Sequence, residues 1–201
     1  MGVLFVFIGI FIITEILYRK GISAEITRKI AHVFSALVII FLPLLLTLNE
    51  AIWMGLGYFL FFFLAEKRRW LPSITCVQRK TNGSFFYPLG VTIAAVVGWD
   101  KSVVFQFAVL VLGIADTAAW LVGSLAKSGQ SKTLKGSAAF FIVTFVLSVF
   151  FGLLLSKVDI LFLSKSLTLS ALLTIIEALA RGGSDNLFLP AFAAIFGLVI
   201  F

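Results

Sequence analysis

The sequence predicts an all-α protein, a polytopic membrane bundle of about eight transmembrane helices. Three observations support this fold class. Of the 201 residues, 61% are hydrophobic and only 12% are charged, about half the charged fraction of a soluble domain. The apolar runs are too long and too numerous to be buried inside a soluble chain of 22.0 kDa. Finally, the basic residues collect in every second loop between those runs.

The apolar runs define the predicted helices, since a spanning helix needs roughly 20 mostly apolar residues and at least about 17. Several runs are short, so seven spans are the alternative to eight. The first run has no basic segment before it and no small-residue cleavage pattern after it, which favours a retained helix. We interpret residues 1–201 as a single integral-membrane domain. The runs are 2–18, 31–48, 51–65, 84–99, 102–124, 137–156, 160–180 and 187–201.

The loops between these runs predict the orientation of the helices. With eight spans, one set of alternate loops contains all of the 16 basic residues except Lys101, Lys157 and Lys165. Because basic loops remain in the cytoplasm, we expect both termini to lie outside. The net charge of +7 then reflects this topology and attraction to anionic lipids. The basic set of loops is 19–30, 66–83, 125–136 and 181–186.

Asp116 is not explained by this topology. It lies about nine residues, or roughly 13 Å, from the predicted cytoplasmic end of its helix, and no other charge occurs within ten residues. An unpaired carboxylate there costs at least ~2.5 kcal/mol, and such residues usually mark a functional path. Gly113, Trp120 and Gly123 share its helical stripe, where small residues would admit a neighbouring helix or a ligand. The alternative is a protonated or hydrogen-bonded Asp with a structural role.

The loop that follows has a composition suited to a phosphate chain. Residues 126–137 contain three Lys, two Gly, three Ser and one Thr. Ammonium, hydroxyl and backbone N–H groups together bind phosphates, and the N-terminus of a helix beginning near Ser137 favours an anion. The G-x-x-x-x-G-K-[ST] order of a P-loop is absent. A solvated basic loop explains the composition equally well.

Two polar segments precede Asp116 on the same predicted side. Arg28, Lys29 and His32 open the second helix, and the four-residue spacing places Arg28 and His32 on one face. Alone, this segment fits an interfacial basic anchor. Residues 78–90 combine two cations, an Asn-Gly turn and an aromatic belt, which turn chemistry and membrane anchoring mostly explain.

The last polar segment contains two carboxylates. Glu177 precedes Arg181 by four residues, the spacing of an ion pair at a helix end. Glu177 and Asp185 could equally hold a divalent metal that bridges phosphates.

In their order along the chain, these segments resemble the CTP-dependent polyprenol kinases. The motifs are R-K-x-x-H, N-G-x-x-x-Y-P-L, an intramembrane Asp followed by A-x-x-x-G, S-K-T-x-x-G-S, and E-x-x-x-x-G-G-x-D-N-x-x-x-P, between Arg28 and Pro190. That family includes dolichol, phytol and farnesol kinases and CTP-dependent diacylglycerol kinases, and is related more distantly to phosphatidate cytidylyltransferase. The resemblance implies transfer of the γ-phosphate of CTP to a membrane lipid alcohol, giving a lipid monophosphate and CDP.

The resemblance and the general pattern of phosphoryl transfer together imply roles for individual residues. Mg²⁺ or another divalent cation would bridge the phosphates, and Asp116 or His32 would take the proton from the lipid hydroxyl. The implied catalytic residues are Asp116, His32 and Lys132; the nucleotide and phosphate ligands are Arg28, Lys29, Lys132, Thr133, Gly136, Ser137 and Asn186; the metal ligands are Asp116, Glu177 and Asp185.

Two positions depart from the family pattern. Ala115 stands where the family commonly has a Gly before Asp116, and Lys135 stands where it commonly has a Glu. The second departure reverses a charge inside the presumed nucleotide loop. It bears on nucleotide preference and on any metal or ribose contact of that glutamate.

Three other functions are compatible with the sequence. A cytidylyltransferase would release pyrophosphate, but the chain lacks that family's longer C-terminal signature. A small transporter with Asp116 as its ion site does not explain why the polar segments share one face. A family member without catalytic activity is the third.

We expect a multi-pass protein of a prokaryotic cytoplasmic membrane, with its active site on the cytoplasmic face, CTP and a lipid alcohol as partners, and no nucleic acid. The sequence leaves the identity of the alcohol and the oligomeric state open.

Overall fold

The computed structural model describes residues 2–77, 81–125 and 132–201. Within these ranges the regular structure is helical, with no strand, which confirms the predicted all-α class. The helices are α1 (Gly2–Arg19), α2 (Ala24–Ile39), α3 (Leu42–Leu45), α4 (Leu48–Arg68), α5 (Pro72–Thr75), α6 (Gly83–Gly98), α7 (Ser102–Leu110), α8 (Asp116–Leu125), α9 (Leu134–Leu154), α10 (Ile160–Leu179) and α11 (Asp185–Ile200), with a π-helical turn, Val111–Ala115, joining α7 to α8.

Each of the eight predicted apolar runs corresponds to a helical segment. The fifth is the continuous rod formed by α7, the π-helical turn and α8. By length and composition, five segments can cross a membrane, and α6 and α11 are shorter apolar helices. These features indicate a membrane protein. The five long segments are Gly2–Arg19, Leu48–Arg68, Ser102–Leu125, Leu134–Leu154 and Ile160–Leu179.

The second helix differs from its prediction in where it begins. It starts at Ala24, whereas the apolar run begins at residue 31. Arg28, Lys29 and His32 therefore lie inside the helix, and each is at most 6% exposed. The interfacial-anchor interpretation of this segment is wrong. The hydropathy pattern places the start of α2 too late because these three residues are polar. They are buried because polar groups on other helices interact with them.

The α7–α8 rod forms the centre of the bundle. Its side chains Phe105, Phe107 and Leu112 are fully buried. Helices α2, α9 and α11 pack around the π-helical turn that joins α7 to α8. By contrast, α1, α4, α9 and α10 expose large apolar side chains such as Phe5 and Ile160. An apolar outer surface is stable when it faces hydrocarbon instead of water.

The loops that the charge pattern placed on one side do meet at one end of the bundle. The Thr27 hydroxyl at the start of α2 donates to the Ser73 carbonyl at 2.6 Å. The Asn82 N–H before α6 donates to the Gly182 carbonyl before α11 at 2.8 Å. We call this the site end of the bundle.

Candidate active site

Asp116 is ion-paired in the interior. It follows the π-helical turn directly, and such turns are frequent at functional sites because they shift the register of the residues that follow. The Lys29 ammonium of α2 donates to the Asp116 carboxylate, and the two side chains are 7% and 5% exposed. The carboxylate that is isolated in the sequence therefore has its counter-charge on another helix.

The glycine stripe of the rod brings its neighbours close, as small residues in helix interfaces do. A methyl group added at Gly113 would collide with the Ala36 side chain of α2, and one added at Gly123 would lie 3.2 Å from the Thr133 hydroxyl. Trp120 lies on the same stripe and donates from Nε1 to a Glu25 carboxylate oxygen at 3.1 Å. This face of the rod is a helix-packing surface that fixes Asp116 against α2.

A second charged centre joins α9, α10 and α11. The Lys132 ammonium contacts the carboxylates of Glu177 and Asp185, the latter at 3.1 Å, and the Ser137 hydroxyl lies 3.3 Å from the other Glu177 oxygen. The predicted Glu177–Arg181 pair is wrong: α10 ends at Leu179, and Arg181 is exposed. Glu177 points into the bundle because Lys132 and Ser137 are on its inner side.

The two charged centres interact electrostatically. Burial lowers the pKa of the Lys132 ammonium, but the carboxylates of Asp185, Asp116 and Glu177 raise it, and the resulting pKa lies above its ordinary value. Lys132 therefore carries a full positive charge at neutral pH. Its side chain is 31% exposed, against 3% for Glu177 and 11% for Asp185. This cation is the part of the centre that an anionic ligand can reach.

The start of α9 shows local structural roles for two residues of the presumed nucleotide loop. The Thr133 hydroxyl caps the helix by accepting from the Gly136 N–H at 3.0 Å. A methyl group on Gly136 would lie 2.8 Å from the Ala119 carbonyl of α8, so glycine is needed for this close approach. Their roles in nucleotide binding, and that of Ser137, remain predictions. Lys135 is exposed.

The described ranges leave out part of the predicted loop. Residues 126–131, and the basic residues Arg79 and Lys80 of another predicted motif, lie outside the described ranges.

Arg28 and Asn186 meet at the Asn-Gly turn. The Asn186 amide donates to the Gly83 carbonyl at 2.8 Å, and a methyl group on Gly83 would lie 2.8 Å from the Arg28 guanidinium. Gly183 has a φ of +85° and packs against the same turn, a conformation that favours glycine. Asn186 is 1% exposed, so its observed contact joins α11 to the start of α6. A direct contact with nucleotide remains a prediction.

The predicted metal ligands divide into two groups. Among the described residues, no three His, Cys, Asp or Glu side chains lie close enough together to hold a metal. Asp116 contacts Lys29, whereas Glu177 and Asp185 share Lys132. Mg²⁺ in nucleotide sites commonly takes one or two carboxylates and completes its shell with phosphates and water. The Glu177–Asp185 pair fits that donor set.

An apolar chamber adjoins the first ion pair. It lies between α1, α2, α4 and α6 and contains about 730 Å³ of empty space, counting the part open to its surroundings. His32, one turn from Lys29, lines it together with Ser35 and Tyr87. The Tyr87 hydroxyl donates to the His32 carbonyl at 3.2 Å, and their rings are 4.5 Å apart. Sequence reasoning missed the chamber because ordinary apolar residues of separate helices form its wall.

The chain is similar to a known protein along nearly its whole length. A phytol kinase of Synechocystis sp. is 26% identical in an alignment 209 residues long, gaps included. The alignment covers 97% of this chain and 88% of the relative. No family model matches the chain, and no solved structure matches it. The similarity along nearly the full length of both chains agrees with the order of the five motifs.

Proposed function

We propose that this protein is a membrane lipid kinase that transfers the γ-phosphate of CTP to the hydroxyl of an isoprenoid-type alcohol. The observation that carries the proposal is the convergence of five separate chain segments at the site end. There they form two charged centres next to an apolar chamber. A kinase for lipid alcohols needs both a polar site for the nucleotide and an apolar site for the acceptor.

Lys132 is the first candidate ligand for the nucleotide phosphates. Its ammonium is charged and partly exposed, and it is held by Glu177 and Asp185 at the N-terminal end of α9. Phosphoryl transfer relies mainly on positioning and on neutralising charge at the transferred group. Arg28, which lies beside the Asn-Gly turn, assists from the other side. The choice of CTP over ATP follows from the family resemblance.

The lipid hydroxyl approaches from the chamber. His32 lines the chamber and lies one turn from Lys29, so its imidazole is placed to take the proton as the hydroxyl attacks the γ-phosphorus. Asp116 accepts from the Lys29 ammonium and orients it beside this position. The attacking oxygen forms a bond to phosphorus as the bond to the CDP oxygen breaks. The products are a lipid monophosphate and CDP.

A divalent cation completes the nucleotide site in this proposal. Mg²⁺ held by Glu177 and Asp185 would neutralise charge on the phosphates. Lys132 and the two carboxylates would then share the task of orienting the phosphate chain. Asp116, which is paired with Lys29, keeps the local charge balanced in the interior.

One assay tests the proposal. Purified protein in liposomes receives γ-labelled CTP or ATP, Mg²⁺, and either phytol, farnesol, a long polyprenol or diacylglycerol. We expect label in the phosphate of an isoprenoid alcohol, with CDP as the second product. Release of pyrophosphate and a CDP-lipid would identify a cytidylyltransferase instead. No label in any lipid with either nucleotide would contradict the proposal and favour a transporter or an inactive family member.

A further inference from the structure

The shape of the chamber indicates which acceptors can enter it. Its wall is aromatic and aliphatic, with Phe7, Phe11 and Phe62 on one side and Pro88 and Val91 on another. An apolar cavity with polar groups at one end suits a ligand with one polar end and one hydrocarbon chain.

The two ends of the chamber differ in polarity. At the site end, Ser84, His32 and Ser35 contribute polar groups. The opposite end is formed by apolar side chains, each at most 6% exposed, which close it off: Leu42, Ala51, Ala95 and Phe105. A ligand must therefore have its polar group near His32 and its hydrocarbon pointing away from the charged centres.

The length of the chamber follows from the helices that line it. On α6 the lining residues extend from Ser84 to Ala95, and on α4 from Phe62 to Ala51. At 1.5 Å per residue, each stretch is about 16 Å long. This is close to the thickness of one leaflet, about half of the ~30 Å hydrocarbon core. The chain of farnesol is slightly shorter than this length and that of phytol slightly longer, so phytol reaches the closed end, whereas a long polyprenol would extend far beyond it.

The wall also contains a polar group that the protein alone does not satisfy. The Tyr58 hydroxyl is buried and has no hydrogen-bond partner within residues 2–77, 81–125 and 132–201. Buried hydroxyls are normally hydrogen-bonded, so we expect water or a ligand to form a hydrogen bond with the Tyr58 hydroxyl.

We propose that the chamber holds the hydrocarbon chain of the acceptor alcohol, with the hydroxyl at His32. Its closed end limits the acceptor to one isoprenoid chain about as long as a leaflet is thick. This inference rests on the proposed function and adds the class of substrate: farnesol- and phytol-sized alcohols enter completely. Dolichol-length alcohols and the two chains of diacylglycerol do not.

Variants at the closed end test the length limit. Ala95→Phe fills that end, so phosphorylation of phytol relative to farnesol should fall at least tenfold. The matched control is Val96→Phe on the same turn of α6, where the side chain is 58% exposed, and the ratio should stay within twofold. Met54→Trp, which narrows the chamber from α4, is a second variant if Ala95→Phe does not fold. An unchanged ratio in a folded chamber variant would overturn the proposal.

A labelling experiment separates this inference from the proposed function. A phytol analogue with a diazirine at the tail end is photolysed with the unmodified protein in detergent micelles, without nucleotide. Crosslinks are then mapped by mass spectrometry. Labelling of α4 and α6 near Ala51 and Ala95, competed by free phytol, supports the chamber even if no kinase activity is found. Labelling confined to the outer faces of α9 and α10 would overturn it even if phytol is phosphorylated.

Discussion

Lys29 and Asp116, which are 87 residues apart in the chain, form an ion pair between α2 and the central rod. Both side chains are less than a tenth exposed. A buried pair stabilises a structure little relative to an apolar pair of the same shape, but removing one partner leaves an uncompensated charge. We therefore expect that the function of the protein requires these charges at this place.

The first prediction separates catalysis by this pair from its structural role. Asp116→Asn keeps the shape but leaves Lys29 without its counter-charge, so the protein should lose about 3–5 kcal/mol of stability. Lipid-kinase turnover should fall about 10²–10³-fold. The double variant Lys29→Met, Asp116→Leu should recover most of the stability and none of the turnover. Thermal unfolding in detergent and initial rates measure the two quantities. Full turnover in the stable double variant would show that neither charge acts in catalysis.

The second prediction concerns the two lysines at the start of α9. Lys132→Met removes the partly exposed cation, so kcat/KM for the nucleotide should fall about 10²-fold or more, with a smaller change in the KM for the alcohol. Lys135→Met removes an exposed lysine three residues away and should change either constant less than about threefold, as expected for a surface charge. Steady-state kinetics with each substrate varied in turn checks both. Equal losses in the two variants would mean that overall loop charge, not Lys132 itself, binds the phosphates.

The fold and the grouping of the site could be predicted from the sequence, because both depend on patterns along the chain. Apolar runs define helices, and the alternation of basic loops predicts which helix ends meet. The structure places Lys132 of one loop against Glu177 and Asp185 of another. The resemblance gave the order of these residues along the chain. Because their loops lie at the same end of the helical bundle, the residues come close together.

The pairings within the site could not be predicted, because they depend on distances between helices. Glu177 has a basic residue four positions away in Arg181, yet it contacts Lys132 because the helix ends before Arg181. The sequence around Lys29 resembles an interfacial segment, but α1, α5 and the central rod pack around α2 and bury Lys29. The chamber has no sequence signal, since its apolar wall looks the same as a lipid-facing surface.

The third prediction addresses the metal. If Glu177 and Asp185 hold Mg²⁺ with the nucleotide, then Glu177→Gln and Asp185→Asn should each raise the Mg²⁺ concentration for half-maximal activity about tenfold or more. Asp100→Asn is the matched control, because Asp100 is exposed and lies at the far end of α6. Activity is titrated with Mg²⁺ at saturating nucleotide. An unchanged half-saturation in both variants would contradict a metal at this pair.

The last prediction tests whether close packing of the rod on α2 positions Asp116. Gly113→Ala would drive a methyl group into Ala36, and overpacking of this kind costs about 1–3 kcal/mol. Because Gly113 lies in the turn before Asp116, displacement of the rod would also separate the carboxylate from Lys29 and lower turnover. The control is Gly57→Ala on α4, which has nothing within 4 Å and should be neutral or slightly stabilising, since alanine favours helix. Adding Ala36→Gly to Gly113→Ala restores the space and should recover both stability and turnover. Recovery of stability without turnover would show that the fit of the two helices supports the fold but does not position the carboxylate.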